Sequence, residues 1–291
     1  MSRHAALVCG LGASVLLSLA APMPAKAGVF IAFASQALGY GTGCISPSAG
    51  GFGPSPQSAD IACIDNESAG QATASAGFGH VGALAQQQQT QNFTICTSQY
   101  EAIAEYQDSV VFTDINQPNG GDVPVSLNFL FGGTLNSGGV GGYASVSVNV
   151  TIDLTAVQQL VEVNSGGVLD CQLVLGAPLC GSVGLSSYTS DTVMVPVNVP
   201  VPFDLLLATD AAGVLQGDSA LSDFSKSIDF PIGSDLFNLP AGVTANAPDA
   251  FIFNNRFVPP TTGAVSEPAT LALFAAGVAG LGAIRHRRKA T

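Results

Sequence analysis

Between residues 145 and 154 the chain alternates without a break. Val146, Val148, Val150, Ile152 and Leu154 fall on one parity, and Ser145, Ser147, Asn149, Thr151 and Asp153 on the other. Period two with β-branched residues on one face predicts a strand with one side on a core and one in water. A helix would scatter the same residues around its circumference. Residues 193–207 repeat the pattern: Val193, Val195, Val197, Val199, Val201, Phe203, Leu205 and Leu207 share one parity, and Pro196, Pro200 and Pro202 the other. Proline cannot donate to a ladder, so this stretch predicts an edge strand, or two strands with a bend between them. Val125, Leu127, Phe129 and Phe131 alternate, as do Phe224, Ile228 and Phe230.

Weaker strand patterns cover residues 29–40, 100–114 and 251–253. Glycine, proline and serine punctuate the rest. Residues 41–56, 116–121, 210–217 and 231–246 read as loops and turns, and 132–142 as a glycine-rich turn too flexible for a core element. Residues 70–82 are small and polar, with Phe78 as the one bulky side chain, and Gln86 to Gln89 fit a helix or a loose strand. No repeat of fixed period is present. Strands at this spacing without convincing helices predict an all-β fold, an antiparallel β-sandwich or jelly-roll-like domain over residues 28–258. A Pro/Thr linker follows at 259–265.

Two stretches fall outside this alternation. Residues 1–27 begin with Arg3 and His4, run apolar from Ala5 to Ala21, and end in Ala25-Lys26-Ala27. That order predicts a signal peptide, cleaved between Ala27 and Gly28 after passage through the secretion translocon. Residues 266–291 begin with Ser266, Glu267 and Pro268, continue through an uncharged run at 269–284, and end with Arg285, Arg287, Arg288 and Lys289. As a helix rising roughly 1.5 Å per residue the run is about 24 Å long. A bilayer core of about 30 Å can thin to meet it. The four cations resist translocation, which predicts a transmembrane helix with a cytoplasmic stop and the body outside.

Glu267-Pro268, a Gly-rich apolar run and an Arg-rich end together resemble the PEP-CTERM sorting tail of Gram-negative bacteria; Ser266 stands where that family usually has proline. The resemblance implies an exosortase, a membrane-embedded cysteine transpeptidase-like enzyme, as partner. It implies a transient anchor that is removed during sorting, much as a GPI signal is. It also implies association with exopolysaccharide or biofilm at the cell surface or outside the cell. Residues 219–258, with Leu239-Pro240-Ala241-Gly242 and Asn254-Asn255-Arg256-Phe257, are similar to the ectodomain end of many PEP-CTERM proteins. No chemistry attaches to that likeness.

The charge distribution sharpens this picture. Between Gly28 and Glu267 the only cations are Lys226 and Arg256, while all 20 acidic residues of the chain lie there, a formal charge of −18. Such a segment repels phosphate backbones, which excludes nucleic acid as a partner. Five cysteines remain after Cys9, and in an oxidising compartment disulfides are expected. Cys171 and Cys180 flank a Gly-Ala-Pro turn and form the first candidate pair, across a hairpin; Cys44 and Cys63 form the second. Cys96 is left odd.

Candidate chemistry is sparse. His80 is the one histidine between Gly28 and Glu267, and no G-x-S-x-G, H-E-x-x-H or C-x-x-C accompanies it. Asp60, Asp65 and Glu67, and separately Asp204, Asp210 and Asp218, are candidate calcium ligands, without an EF-hand-type run. Tryptophan is absent and tyrosines number five, a poor stock for glycan platforms. The sequence therefore predicts a non-enzymatic exported surface or matrix protein with no metal or cofactor. The alternative is a glycan- or ice-binding module, calcium-assisted, using the polar face at 145–153; a secreted hydrolase built on His80 is a further rival.

Overall fold

The structure, a computed structural model, describes residues 28–37, 48–64, 68–91, 98–117, 120–175 and 183–260. The chain divides into two units, residues 1–258 and 259–291, and every described strand lies in the first. In chain order come β1 (Val29–Ala37), β2 (Ser48–Gly53), β3 (Gln57–Ile64), β4 (Ser68–Gly77), β5 (His80–Gln89) and β6 (Ser98–Asp114). There follow β7 (Asp122–Gly138), β8 (Tyr143–Ile152), β9 (Thr155–Ser165), β10 (Val168–Leu175), β11 (Val183–Thr189) and β12 (Val193–Pro196). The last are β13 (Pro200–Gly213), β14 (Ser219–Asp229), β15 (Phe237–Asn238), β16 (Val243–Asn246), β17 (Ile252–Phe253) and β18 (Arg256–Phe257). A 3-10 turn at Pro248–Ala250 is the only helical element among the described residues.

All pairing between these strands is antiparallel. Sheet A runs β10-β9-β8-β13-β6-β1-β2, with β16 beside the far end of β6. Sheet B runs β11-β7-β14-β5-β4-β3, with β12 and β15 beside the first half of β7. The sheets lie face to face: β13 meets β5 and β14, β6 meets β4 and β5, and β1 meets β3 and β4. The sequence expectation of an antiparallel all-β body holds in this two-layer arrangement.

Alternation fills the space between the layers. Val146, Val148, Val150 and Ile152 of β8, Val201, Phe203, Leu205 and Leu207 of β13, and Phe129 and Phe131 of β7 are all buried. One end of this interior is aromatic. Phe30 stacks on Tyr106 with centroids 4.9 Å apart, and Phe78, Phe203, Phe230, Phe251 and Phe257 extend the cluster edge to face. The other end is polar, with Gln36, Ser68, Gln87, Gln89 and Thr209 buried. The glutamine run is thus strand, its odd members turned inward; Gln87 Nε2 donates to Gln89 Oε1 at 2.9 Å.

Several expectations need correction. Residues 48–53, read as loop, form β2 on the edge of sheet A. Residues 132–138, read as flexible turn, are the second half of β7: Gly133 is glycine because a Cβ there would lie 2.2 Å from the Phe224 ring. Residues 210–213, read as loop, extend β13, with Ala211 buried. Leu154 leaves its predicted face: Asp153 and Leu154 take positive φ of 49° and 61° in the tight β8–β9 connection, and Leu154 is exposed.

The valine stretch at 193–207 resolves into two strands in different sheets, with Asn198 at φ 65° in the bend. β13 is no edge, since it sits between β8 and β6, whereas β12 pairs with β7 alone. Pro202 is tolerated there because its carbonyl accepts from Asp153 N–H at 2.8 Å, so its nitrogen faces the β8–β9 turn rather than a strand.

Candidate functional site

The outer face of sheet B brings together three residues from three neighbouring strands. Ser75 is on β4, His80 begins β5, and Asp229 ends β14. The register sets His80 directly opposite Asp229 on one side and Gly77 on the other. His80 Nδ1 lies 2.6 Å from Asp229 Oδ1, and His80 Nε2 lies 3.2 Å from Ser75 Oγ. The His80 and Asp229 side chains are 31% and 32% exposed. Opposite Gly82, β14 carries two extra residues between Phe224 and Ile228, and the exposed Lys226 stands on that bulge.

The outer face of sheet A is acidic. Register places Glu105 and Asn149 on either side of Leu206, and Glu101 and Ser145 on either side of Asp210. Loss of water and the neighbouring Glu105 charge raise the Asp204 carboxyl, and loss of water raises Glu105. Burial and then the Glu101 charge push Asp210 up to about 7, against a hydrogen bond from Gln99 Nε2 at 2.7 Å.

The calcium candidates among the described residues do not converge. Asp218 is buried, and its carboxylate accepts from the N–H groups of Gly141, Val214 and Leu215 at 3.2, 3.1 and 2.6 Å. N–H donors suit an anion and repel a cation, so Asp218 locks a turn. Asp60 is exposed on β3, while Asp65 and Glu67 lie outside the described residues. Among the described residues no group of three or more His, Cys, Asp and Glu is placed to hold a metal ion.

The remaining sequence candidates divide as follows. Ala25, Ala27, Ser266, Glu267, Pro268, Arg285, Arg287, Arg288 and Lys289 lie outside the described residues, as do Cys44, Cys96 and Cys180. Gly28 is described and buried; a Cβ there would stand 2.8 Å from Asp108 Oδ2. Cys63 lies on β3 and Cys171 on β10. β10 pairs with β9 in sheet A and β11 with β7 in sheet B, and the expected turn between Cys171 and Cys180 lies outside the described residues. Among the described residues no helix is long and apolar enough to cross a membrane, and residues 269–284 are not among them.

Sequence reasoning singled out His80 but not Ser75 or Asp229. Nothing in the sequence joins residues 75, 80 and 229; only strand order and register do.

No curated protein and no solved structure matches the chain. Residues 264–289 match the PEP-CTERM protein-sorting motif, the segment with Glu267-Pro268, the apolar run and the basic end. The chain thus carries a PEP-CTERM sorting motif in its tail, and that motif implies export and sorting to the cell surface through an exosortase-type enzyme.

Proposed function

We propose that this is a surface or extracellular-matrix protein, associated with exopolysaccharide or biofilm. The match at residues 264–289 carries the reading. The signal peptide at 1–27 is removed after Ala27. The apolar run at 269–284 then holds the chain in the membrane until the exosortase removes the tail. A Gly28 start places the new ammonium on a residue whose Cβ position lies against the Asp108 carboxylate. The released body carries Lys226 and Arg256 against its acidic residues, and mutual repulsion keeps it dispersed in a hydrated matrix.

Fractionation tests this. Wild type is compared with Glu267→Ala and with a deletion of 266–291. The reading expects unprocessed, membrane-held chain for Glu267→Ala and loss of surface delivery for the deletion. Unchanged processing and location in both variants would defeat it. Saturable binding of a glycan or of calcium by the mature protein would favour the binding-module alternative instead.

A further inference from the structure

We propose that Ser75 is an activated nucleophile, with His80 as its general base and Asp229 holding that base in position, and that this face accepts acyl groups from uncharged esters. The inference goes beyond the matrix role and stands or falls separately from it.

The polarity of the row carries the argument. Asp229 Oδ1 meets Nδ1 of His80, at 2.6 Å, and Ser75 Oγ meets Nε2, at 3.2 Å. An ionised carboxylate only accepts, so Nδ1 carries a proton, and in the neutral ring Nε2 then offers its lone pair to the serine hydroxyl. That division of labour turns a hydroxyl into a nucleophile, and it is recognised by geometry rather than by position in a sequence. A row that merely pinned strands would be indifferent to which nitrogen met which partner.

The surroundings leave the row open. A Cβ on Gly82 would stand 3.1 Å from His80 Nε2 and 2.2 Å from the Ser225 carbonyl oxygen. Glycine there lets the β14 bulge close against β5 and keeps a side chain off Nε2. His80 and Asp229 sit on an outer sheet face, one-third exposed. Such a face suits an ester pendant on a polymer, for example an O-acyl group on a polysaccharide. The acidic body repels anionic substrates, and a pendant O-acyl group on a neutral polymer escapes that repulsion.

In the step itself, Ser75 Oγ bonds to the ester carbonyl carbon as its proton passes to His80 Nε2. The carbon–alkoxide bond then breaks, and the same proton leaves with the alcohol. Solvent water attacks the acyl-Ser75 by the same proton route, giving the free acid and restoring the serine.

The test is labelling of the full chain by a fluorophosphonate, which replaces P–F by P–O at an activated serine and releases HF. Intact-mass and peptide analysis should show one adduct, on Ser75. Ser75→Ala should abolish it, and Ser225→Ala, on the same face, should label as wild type. His80→Gln and Asp229→Asn should slow labelling at least about tenfold, with unchanged thermal melts, and Asp229→Glu should restore part of the rate. No adduct on Ser75 under conditions that fully label a known serine hydrolase would overturn the proposal. Labelling that His80→Gln leaves unchanged would overturn it as well, and would mark the row as a structural pin.

Discussion

At Asp210 a carboxyl that would be ionised in the unfolded chain is held up to about 7 by burial and the nearby Glu101 charge. Its folded value lies above its unfolded one, so the folded state binds the proton more tightly. The resulting stability is complete below about pH 4 and is lost as the pH rises through about 7. Asp204 beside Glu105 moves in the same direction. The body should therefore melt at a lower temperature at pH 9 than at pH 5. Asp210→Asn should remove the Asp210 part of this dependence, which amounts to about 3 kcal/mol between pH 5 and pH 9, read from melts at both pH values. A different constraint acts at Leu154, an exposed residue at φ 61°. Left-handed backbone costs a non-glycine residue about 1–2 kcal/mol, partly offset by glycine's greater unfolded freedom. Leu154→Gly should raise stability by about 0.5–1 kcal/mol in urea unfolding. At Gly70 a Cβ would stand 2.3 Å from the Tyr100 ring and 2.5 Å from the Gln86 carbonyl oxygen. Gly70→Ala should lower stability by about 1–3 kcal/mol.

At the scale of the element, β14 shows why counting matters more than composition. Two extra residues between Phe224 and Ile228 keep the side-chain parity, so both face inward and are buried. Deleting Lys226 alone shifts Ser227 to Asp229 by one position and turns Ile228 outward. Deleting Ser225 and Lys226 together preserves parity, at the cost of the Ser227 Oγ–H bond to the Gly132 carbonyl. Circular dichroism melts should show a cooperative β transition for the double deletion and its loss, or a drop of several kcal/mol, for the single one. Parity was also what made β8 and β13 legible in the sequence: uninterrupted valines and leucines on one face leave few other solutions. The second half of β7 was not legible. Glycines normally signal flexible chain, and Gly133 is ordered only because Phe224, distant in sequence, lies against it.

For the whole molecule, charge is the property most directly inherited from sequence. The segment from Gly28 to Glu267 carries a formal −18, and self-repulsion opposes compaction. Raising the ionic strength from 0.01 to 0.15 M shortens the Debye length from about 30 to about 8 Å. The melting temperature of the mature body should rise over that range, and a flat or falling profile would contradict the repulsion argument. The sorting tail was equally legible, because Glu267-Pro268, the apolar run and the basic end are contiguous. A site made of contiguous residues can be read from a line of letters.

The sequence by itself determined the all-β character, the acidity and the tail, since each depends on local period, summed charge or contiguous motif. Only the tertiary structure decided the rest. It separated residues 193–207 into strands of opposite sheets and placed β13 in the middle of sheet A. It set Asp218 among N–H groups rather than in a cation site. It also aligned Ser75, His80 and Asp229 across β4, β5 and β14. The physical reason is common to all three. Strand pairing joins residues up to 149 positions apart, and which strand becomes whose neighbour is settled by packing two apolar faces together, not by any property of the strands taken singly.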